Sequence, residues 1–282
     1  MFVAMPPTVS NTTAGEIWTI VPTRNVVLKS VALKRNICLQ IGLPPDYQAG
    51  NKPCGVLFCL DAFAFGGAFR ETAGLLRFGS EIPDVITVGI DLEVKSSEQW
   101  QKERAFILTP TKSSDFEEHG VPSSGTGGAP QFLKSLADEI IPFIDKNYRT
   151  IAGERTLIGH SFGGLFVAYA LVKSTGLFNR YLISSPTLSW DDRVIFKLES
   201  KYAKANKDLP ARVFLSAGAL EHAPDDTTVP DVLRLADVLR SRKFTGLKLT
   251  GIVFENENHY SVPSIAFSRG LRVLYAKTKT GS

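Results

Sequence analysis

The chain has 282 residues, of which 44% are hydrophobic and 21% charged, the composition of a globular protein with a large core rather than a disordered or fibrous one. Its formal charge of +4 comes from 32 basic and 28 acidic residues interspersed along the chain, with no dense Lys/Arg block that would point to nucleic acid. Three cysteines (Cys38, Cys54, Cys59) without a C-x-x-C pair argue against a disulfide framework or zinc site, the opening MFVAMPPTVSNTT does not read as a signal peptide, and no apolar run reaches the roughly 18 residues of a membrane span; a single cytoplasmic domain over residues 1–282 is the expectation.

Residues 16–22 (EIWTIVP) and 24–43 predict opening strands, the second a hairpin. CGVLFCL at 54–60 is a continuous apolar run of strand length, as expected of a strand buried on both faces. A Gly-rich, partly helical stretch leads to the next such run, Val85–Ile90. Residues 93–127 are polar, without clear period, and read as a loop-rich insertion that overhangs a site. Phe132, Leu136, Ile140, Ile141 and Ile144 then fall at helical spacing, with Pro142 marking a kink. Strand-like runs follow at Thr156–Ile158, Tyr181–Ser184, Val213–Ala217 and Leu247–Phe254, and a closing helix at about 262–277. Strands alternating with helices predict an α/β fold, a mostly parallel sheet covered on both faces. Ligands bind such sheets at the carboxyl ends of the strands.

Gly159-His160-Ser161-Phe162-Gly163 lies at one of those ends. The pattern G-x-S-x-G is weak alone. Here it follows the apolar strand TLI and opens the helical run LFVAYALVKS, the strand–turn–helix setting of a nucleophile elbow. A serine there also sits at a helix N-terminus, which favours developing negative charge.

Serine needs a base, and the chain has four histidines. His160 adjoins the nucleophile and reads as a packed neighbour; His119 lies in the polar insertion; His222 follows the strand ending at Ala217. His259, in ENENHYSVP between the last strand and last helix, stands where the order Ser, acid, His puts the base. The acid should come from Ala219–Asp226. Glu221 is nearest the strand end, with Asp225, Asp226 or a Ser–His dyad without a working acid as alternatives. Two backbone donors are needed for the oxyanion: Phe162, after the nucleophile, and Phe63, in the loop after LFCL. Phe63, Phe65, Phe69 and Trp190 are candidates for an aromatic pocket, and Arg104 for binding an acidic substrate group.

These stretches resemble the esterase family that groups trilactone siderophore esterases, esterase D type enzymes and mycolyltransferases, with the siderophore-esterase-like branch nearest. The resemblance runs through LFCLDAFAFGG (57–67), RAFILTP (104–110), GGAPQFLKSLADEIIPFIDKNYRT (127–150), TLIGHSFGGLFVAYAL (156–171), LFNRYLISSPTLSWDD (177–192), SAGALE and ENENHYSV. It implies the α/β-hydrolase fold, catalytic Ser161 and His259, oxyanion donors Phe63 and Phe162, and no metal or organic cofactor. The chain departs from the family pattern at Ala62, where the family has Gly after Asp, and at Ser189, where it has a second aromatic before Trp190. The function expected is a carboxylic ester hydrolase working through a serine acyl-enzyme on small aryl or short-acyl esters. A siderophore trilactone esterase, an acyltransferase using the same Ser–His machinery and a non-catalytic binding module are the alternatives.

Overall fold

The computed structural model describes residues 23–222 and 226–277. The expected strand at 16–22 lies outside them. β1 (Thr23–Ser30) and β2 (Arg35–Gly42) form an antiparallel hairpin, paired from Thr23↔Gly42 to Ser30↔Arg35. β3 (Cys54–Leu60), α1 (Ala62–Phe78) and β4 (Val85–Leu92) make the first parallel crossover. β5 (Thr150–His160), α5 (Phe162–Lys173), β6 (Arg180–Ser184), α6 (Trp190–Ala205), β7 (Arg212–Gly218), α7 (Thr228–Ser241), β8 (Lys248–Phe254) and α8 (Val262–Tyr275) continue the alternation. The described strands form one sheet of order β1-β2-β4-β3-β5-β6-β7-β8. β2 runs antiparallel to β1 and β4; the pairings from β4 across to β8 are parallel.

Every residue of β3 and β4 is buried, because helices cover both faces. Strand alternation divides the core. Leu57 and Cys59 join Ile158, Leu182 and Phe214 under Phe69 of α1 and Phe267 and Leu271 of α8. Val56, Phe58 and Leu60 face the larger cluster on the other side, with Phe132, Phe166 and Leu235. The carboxyl ends of β3, β5, β7 and β8 are thereby held on a rigid edge with their loops on one side.

The polar stretch at 93–127 contains a regular helix, α2 (Ser97–Leu108). Ser96 caps it, accepting from the Gln99 N–H at 3.1 Å, and Glu98 lies in its first turn; both favour a helix start. Its buried positions are Trp100, Arg104, Ala105, Ile107 and Leu108. That is helical spacing, hidden in the sequence because an arginine occupies a core-facing position. Further on, α3 (Ala129–Ser135) passes through a π turn (Leu136–Ile140) into α4 (Ile141–Asn147). Pro142 lacks the N–H that the helix ladder needs, and the wider turn directly before it absorbs the misfit.

Candidate active site

Ser161 stands between β5 and α5 with φ 59° and ψ −121°, a conformation that L residues avoid and that the surrounding structure must enforce. The backbone holds it from two sides: its N–H donates to Ser184 O at 3.1 Å, and its carbonyl accepts from Leu165 N–H at 2.9 Å. A Cβ on Gly159 would lie 2.3 Å from the backbone of Gly163, so the strand and helix can meet this closely only with glycine there. The serine is left half-buried at the helix N-terminus, where free N–H groups and the helix dipole favour an anion.

His259 and Glu221 come together from the loops after β8 and β7. His259 Nδ1 lies 2.6 Å from Glu221 Oε2. A carboxylate only accepts, so Nδ1 carries the hydrogen and Nε2 keeps the lone pair. Glu221 is 1% exposed. Its other oxygen accepts from Ser185 Oγ at 2.6 Å and from the Gly218 N–H at 2.7 Å, so the buried charge is met by three donors. The two loops are tied directly: Leu220 N–H donates to Glu257 O at 3.0 Å and Ala219 N–H to Phe254 O at 2.8 Å. Gly218 permits this approach, since a Cβ there would lie 2.4 Å from Glu257 O. Asn258 stiffens the histidine loop by accepting from the Tyr260 and Ser261 N–H groups at 2.9 and 3.1 Å.

His160 is buried beside His259, its ring 4.5 Å from that of His259 and 5.3 Å from that of Phe65. Its Nδ1 lies 3.1 Å from Ser184 Oγ. Burial first, and the neighbouring His259 second, hold its pKa well below the ordinary histidine value, so a neutral ring packs against His259. Adjacent residues thus serve adjacent roles: Ser184 contacts His160, and Ser185 contacts Glu221.

The other acid candidates fall elsewhere. Asp226 Oδ1 accepts from Thr228 N–H at 2.9 Å and caps α7; Asp225 lies outside the described residues. His222 is exposed, and the side chain of His119 is also outside the described part.

On the opposite flank, Asp61 closes β3 in the left-handed region (φ 55°, ψ 44°). Arg104 grips it with two charge-assisted bonds, Nε to Oδ1 at 2.8 Å and Nη2 to Oδ2 at 2.7 Å. The guanidinium lies 4.8 Å from the ring of Trp100 and 5.1 Å from that of Phe162. Arg104 therefore braces both segments expected to donate to the oxyanion. This corrects its expected role. With the guanidinium buried and committed to Asp61, it is not free to bind an acidic substrate group. Trp190 needs the same correction: it is 1% exposed, packs edge-on against Phe162 at 5.5 Å and donates Nε1–H to Thr111 O at 3.3 Å, so it supports the elbow from behind. Phe69 is fully buried against Phe267, and Phe65 is half-buried between His160 and Phe267. Of the aromatic candidates Phe63 remains open, 54% exposed and stacked at 5.7 Å on Trp100. Tyr260 and Leu220, 92% and 61% exposed, flank the histidine and the acid.

Ala62 and Ser189 are accommodated. The Ala62 methyl packs over Gly89 of β4, within 2.8 Å of where a Cβ would stand, and Ser189 is exposed. Among the described residues no group of three or more His, Cys, Asp or Glu side chains is placed to hold a metal ion. No described helix is long and apolar enough to cross a membrane. A cavity of about 740 Å³, lined by Ile41, Leu43, Ala73, Phe78 and Val85, lies at the far end of the sheet from Ser161.

A strained serine after a buried strand, with a carboxylate two strands further on and the histidine it binds three strands further on, is the layout of a serine hydrolase. The family model described as Putative esterase matches residues 30–245. The chain belongs to that family. It is a serine ester hydrolase of the α/β-hydrolase fold. It is 29% identical over 225 residues to the ferri-bacillibactin esterase BesA of Bacillus subtilis, covering 77% of each chain. Among solved structures it is similar to the BES protein of Bacillus cereus, with a TM-score of 0.79, 27% identity and coverage of 94% of this chain and all of that one. An IroE-like serine hydrolase from Shewanella oneidensis gives a TM-score of 0.79 at 27% identity, covering 90% and 80% of the two chains.

Proposed function

We propose that Ser161, His259 and Glu221 are the catalytic triad of this esterase, with the Phe162 and Phe63 N–H groups as oxyanion donors. The observation that carries the reading is the 2.6 Å contact of Glu221 with His259 Nδ1, which leaves Nε2 as the base. Ser161 Oγ attacks the ester carbonyl while His259 takes its proton; the carbonyl oxygen becomes the oxyanion. Collapse expels the alcohol, to which His259 returns the proton. Water then attacks the acyl-enzyme with His259 again as base, releasing the acid and restoring the serine. Glu221 fixes the imidazole and stabilises its cation.

For the substrate, the relatives favour a siderophore ester over the small aryl or short-acyl ester that heads the sequence-based expectation. Beside the ferri-bacillibactin esterase, an Aspergillus fumigatus relative is named a siderophore triacetylfusarinine C esterase. Exposed Phe63, Leu220 and Tyr260 give the site a broad apolar rim, which suits a large ligand better than a narrow acyl pocket. The test compares a catecholate trilactone with p-nitrophenyl esters from acetate to long acyl chains, using wild type and Ser161→Ala. Higher kcat/KM on the lactone, absent in the variant, is the expected result. Higher kcat/KM on short aryl esters would restore the first expectation, and equal activity of the two proteins would overturn the mechanism.

A further inference from the structure

Phe63 has one amide hydrogen, and in this structure it is already engaged. It donates to Asp91 Oδ2 at 2.8 Å. The same oxygen accepts from Trp100 Nε1 at 3.0 Å, and Asp91 Oδ1 accepts from Leu92 N–H at 3.0 Å. Asp91 is the penultimate residue of β4, next to β3, which leads through Asp61 into the first turn of α1 where Phe63 stands, and is 7% exposed. These partners are uncharged N–H groups, unlike the guanidinium that meets Asp61. Burial, and then the Asp61 carboxylate, push its pKa up to about 6. The Ala62 methyl seated over Gly89 holds the first turn of α1 against β4 and so keeps the Phe63 N–H within reach of Asp91.

We propose that Asp91 is a positioning residue of the oxyanion hole: its carboxylate holds the Phe63 N–H, and the substrate's acyl oxygen must take that hydrogen bond over. The neutral carbonyl of a bound ester is a weaker acceptor than a carboxylate, whereas the tetrahedral intermediate carries a full charge. The exchange therefore favours the transition state over the bound substrate, which is the differential binding that catalysis requires. It also lowers the gain from the donor, because an existing contact is broken to use it. Asp91 thus sets the strength of one oxyanion donor without touching the substrate. The inference rests on the reading of Ser161 as nucleophile and Phe63 as donor.

The test measures kcat/KM for p-nitrophenyl acetate and the inhibition constant of phenylboronic acid, which adds to a serine oxygen as a tetrahedral anion. Wild type, Asp91→Ala, Asp91→Asn and Ser161→Ala are compared, with circular dichroism to confirm folding. Releasing the Phe63 N–H should tighten boronate binding and raise kcat/KM by about tenfold in Asp91→Ala, part of the 10²–10³-fold carried by one oxyanion donor. Asp91→Asn, which loses the charge but keeps the shape, should move the same way by less, and it carries the test alone if the alanine variant does not fold. A merely structural aspartate would give unchanged or weaker boronate binding in a folded variant, and that result overturns the proposal. If wild type is active, Ser161→Ala inert and the Asp91 variants unimproved, the proposal fails while the esterase reading stands. If Ser161→Ala hydrolyses the ester and binds the boronate as wild type does, both fail.

Discussion

The base side and the oxyanion side of the site are built differently. On the base side, Glu221, Ser185, Gly218 and His259 come from the ends of three neighbouring strands, and each loop places its group within a few residues of the sheet. The single buried charge there is met by donors in short, fixed segments. On the oxyanion side the partners are remote in sequence: Asp61 with Arg104, 43 residues apart, and Phe63 with Asp91, 28 apart. Two buried carboxylates and one buried guanidinium meet around a helix that is not itself part of the parallel sheet. Strand order alone positions the base. The start of α1, with Asp61 and Phe63, instead depends on how α2 packs, and the two sides should respond differently to substitution.

The largest expected effect is on Ser161, the proposed nucleophile they share. Ser161→Ala should lower kcat by about 10⁴–10⁶-fold on any ester the wild type hydrolyses, with no loss of thermal stability. On the base side, Glu221→Gln should lower kcat by about 10⁴-fold through the wrong imidazole tautomer, whereas Asp226→Asn should leave kcat within about twofold; the reverse ranking in the same assay would move the acid. On the oxyanion side the first effect should be on stability. Arg104→Met strands the buried Asp61 charge, and Asp61→Asn strands the guanidinium; each should cost about 3–5 kcal/mol in urea unfolding, and the double variant should cost less than the sum of the two.

Asp91 gives a pH signature. Its folded pKa of about 6 lies above the ordinary carboxylate value, so its contribution to stability is present at low pH and is lost as pH rises from about 4 through 6, by up to roughly 3 kcal/mol. Asp91→Asn cannot ionise. Urea midpoints of the two proteins should therefore diverge in favour of the variant over that window and stay parallel above it. Among the groups that contact the proposed triad, the smallest expected effect returns to the base side. Ser185→Ala removes one of three donors to Glu221 while the Gly218 N–H remains on the same oxygen, and kcat should fall by about tenfold, close to the lower bound of the roughly 1.5–3 kcal/mol of a hydrogen bond to a charged group.

The same contrast explains what was legible in the sequence. Buried parallel strands read as apolar runs, so β3, β4 and the alternation after β5 were visible, as was the elbow around Ser161. Glu221 stood out through its distance from the strand end. The helix α2 was hidden, because a buried arginine looks like a surface residue until its partner is known, and nothing in RAFILTP names Asp61 as that partner. For the same reason Arg104 read as a substrate contact. Trp190 read as a pocket wall because sequence does not tell an aromatic beside a site from one beneath it. Ser185 lies in LFNRYLISSPTLSWDD (177–192), one of the stretches that carry the resemblance, but its bond to Glu221 depends on a loop conformation with φ 39° that the sequence does not announce. Asp91 had no signal: it follows an apolar strand, where a loop carboxylate is ordinary.

The most direct measurement of the central claim is intact-mass spectrometry after treatment with a fluorophosphonate, which phosphonylates an activated serine and expels fluoride. The account predicts one adduct per chain, mapped by peptide sequencing to Ser161, and none on Ser161→Ala under the same conditions. An adduct on another residue, or an unmodified wild type that still hydrolyses esters, would contradict it.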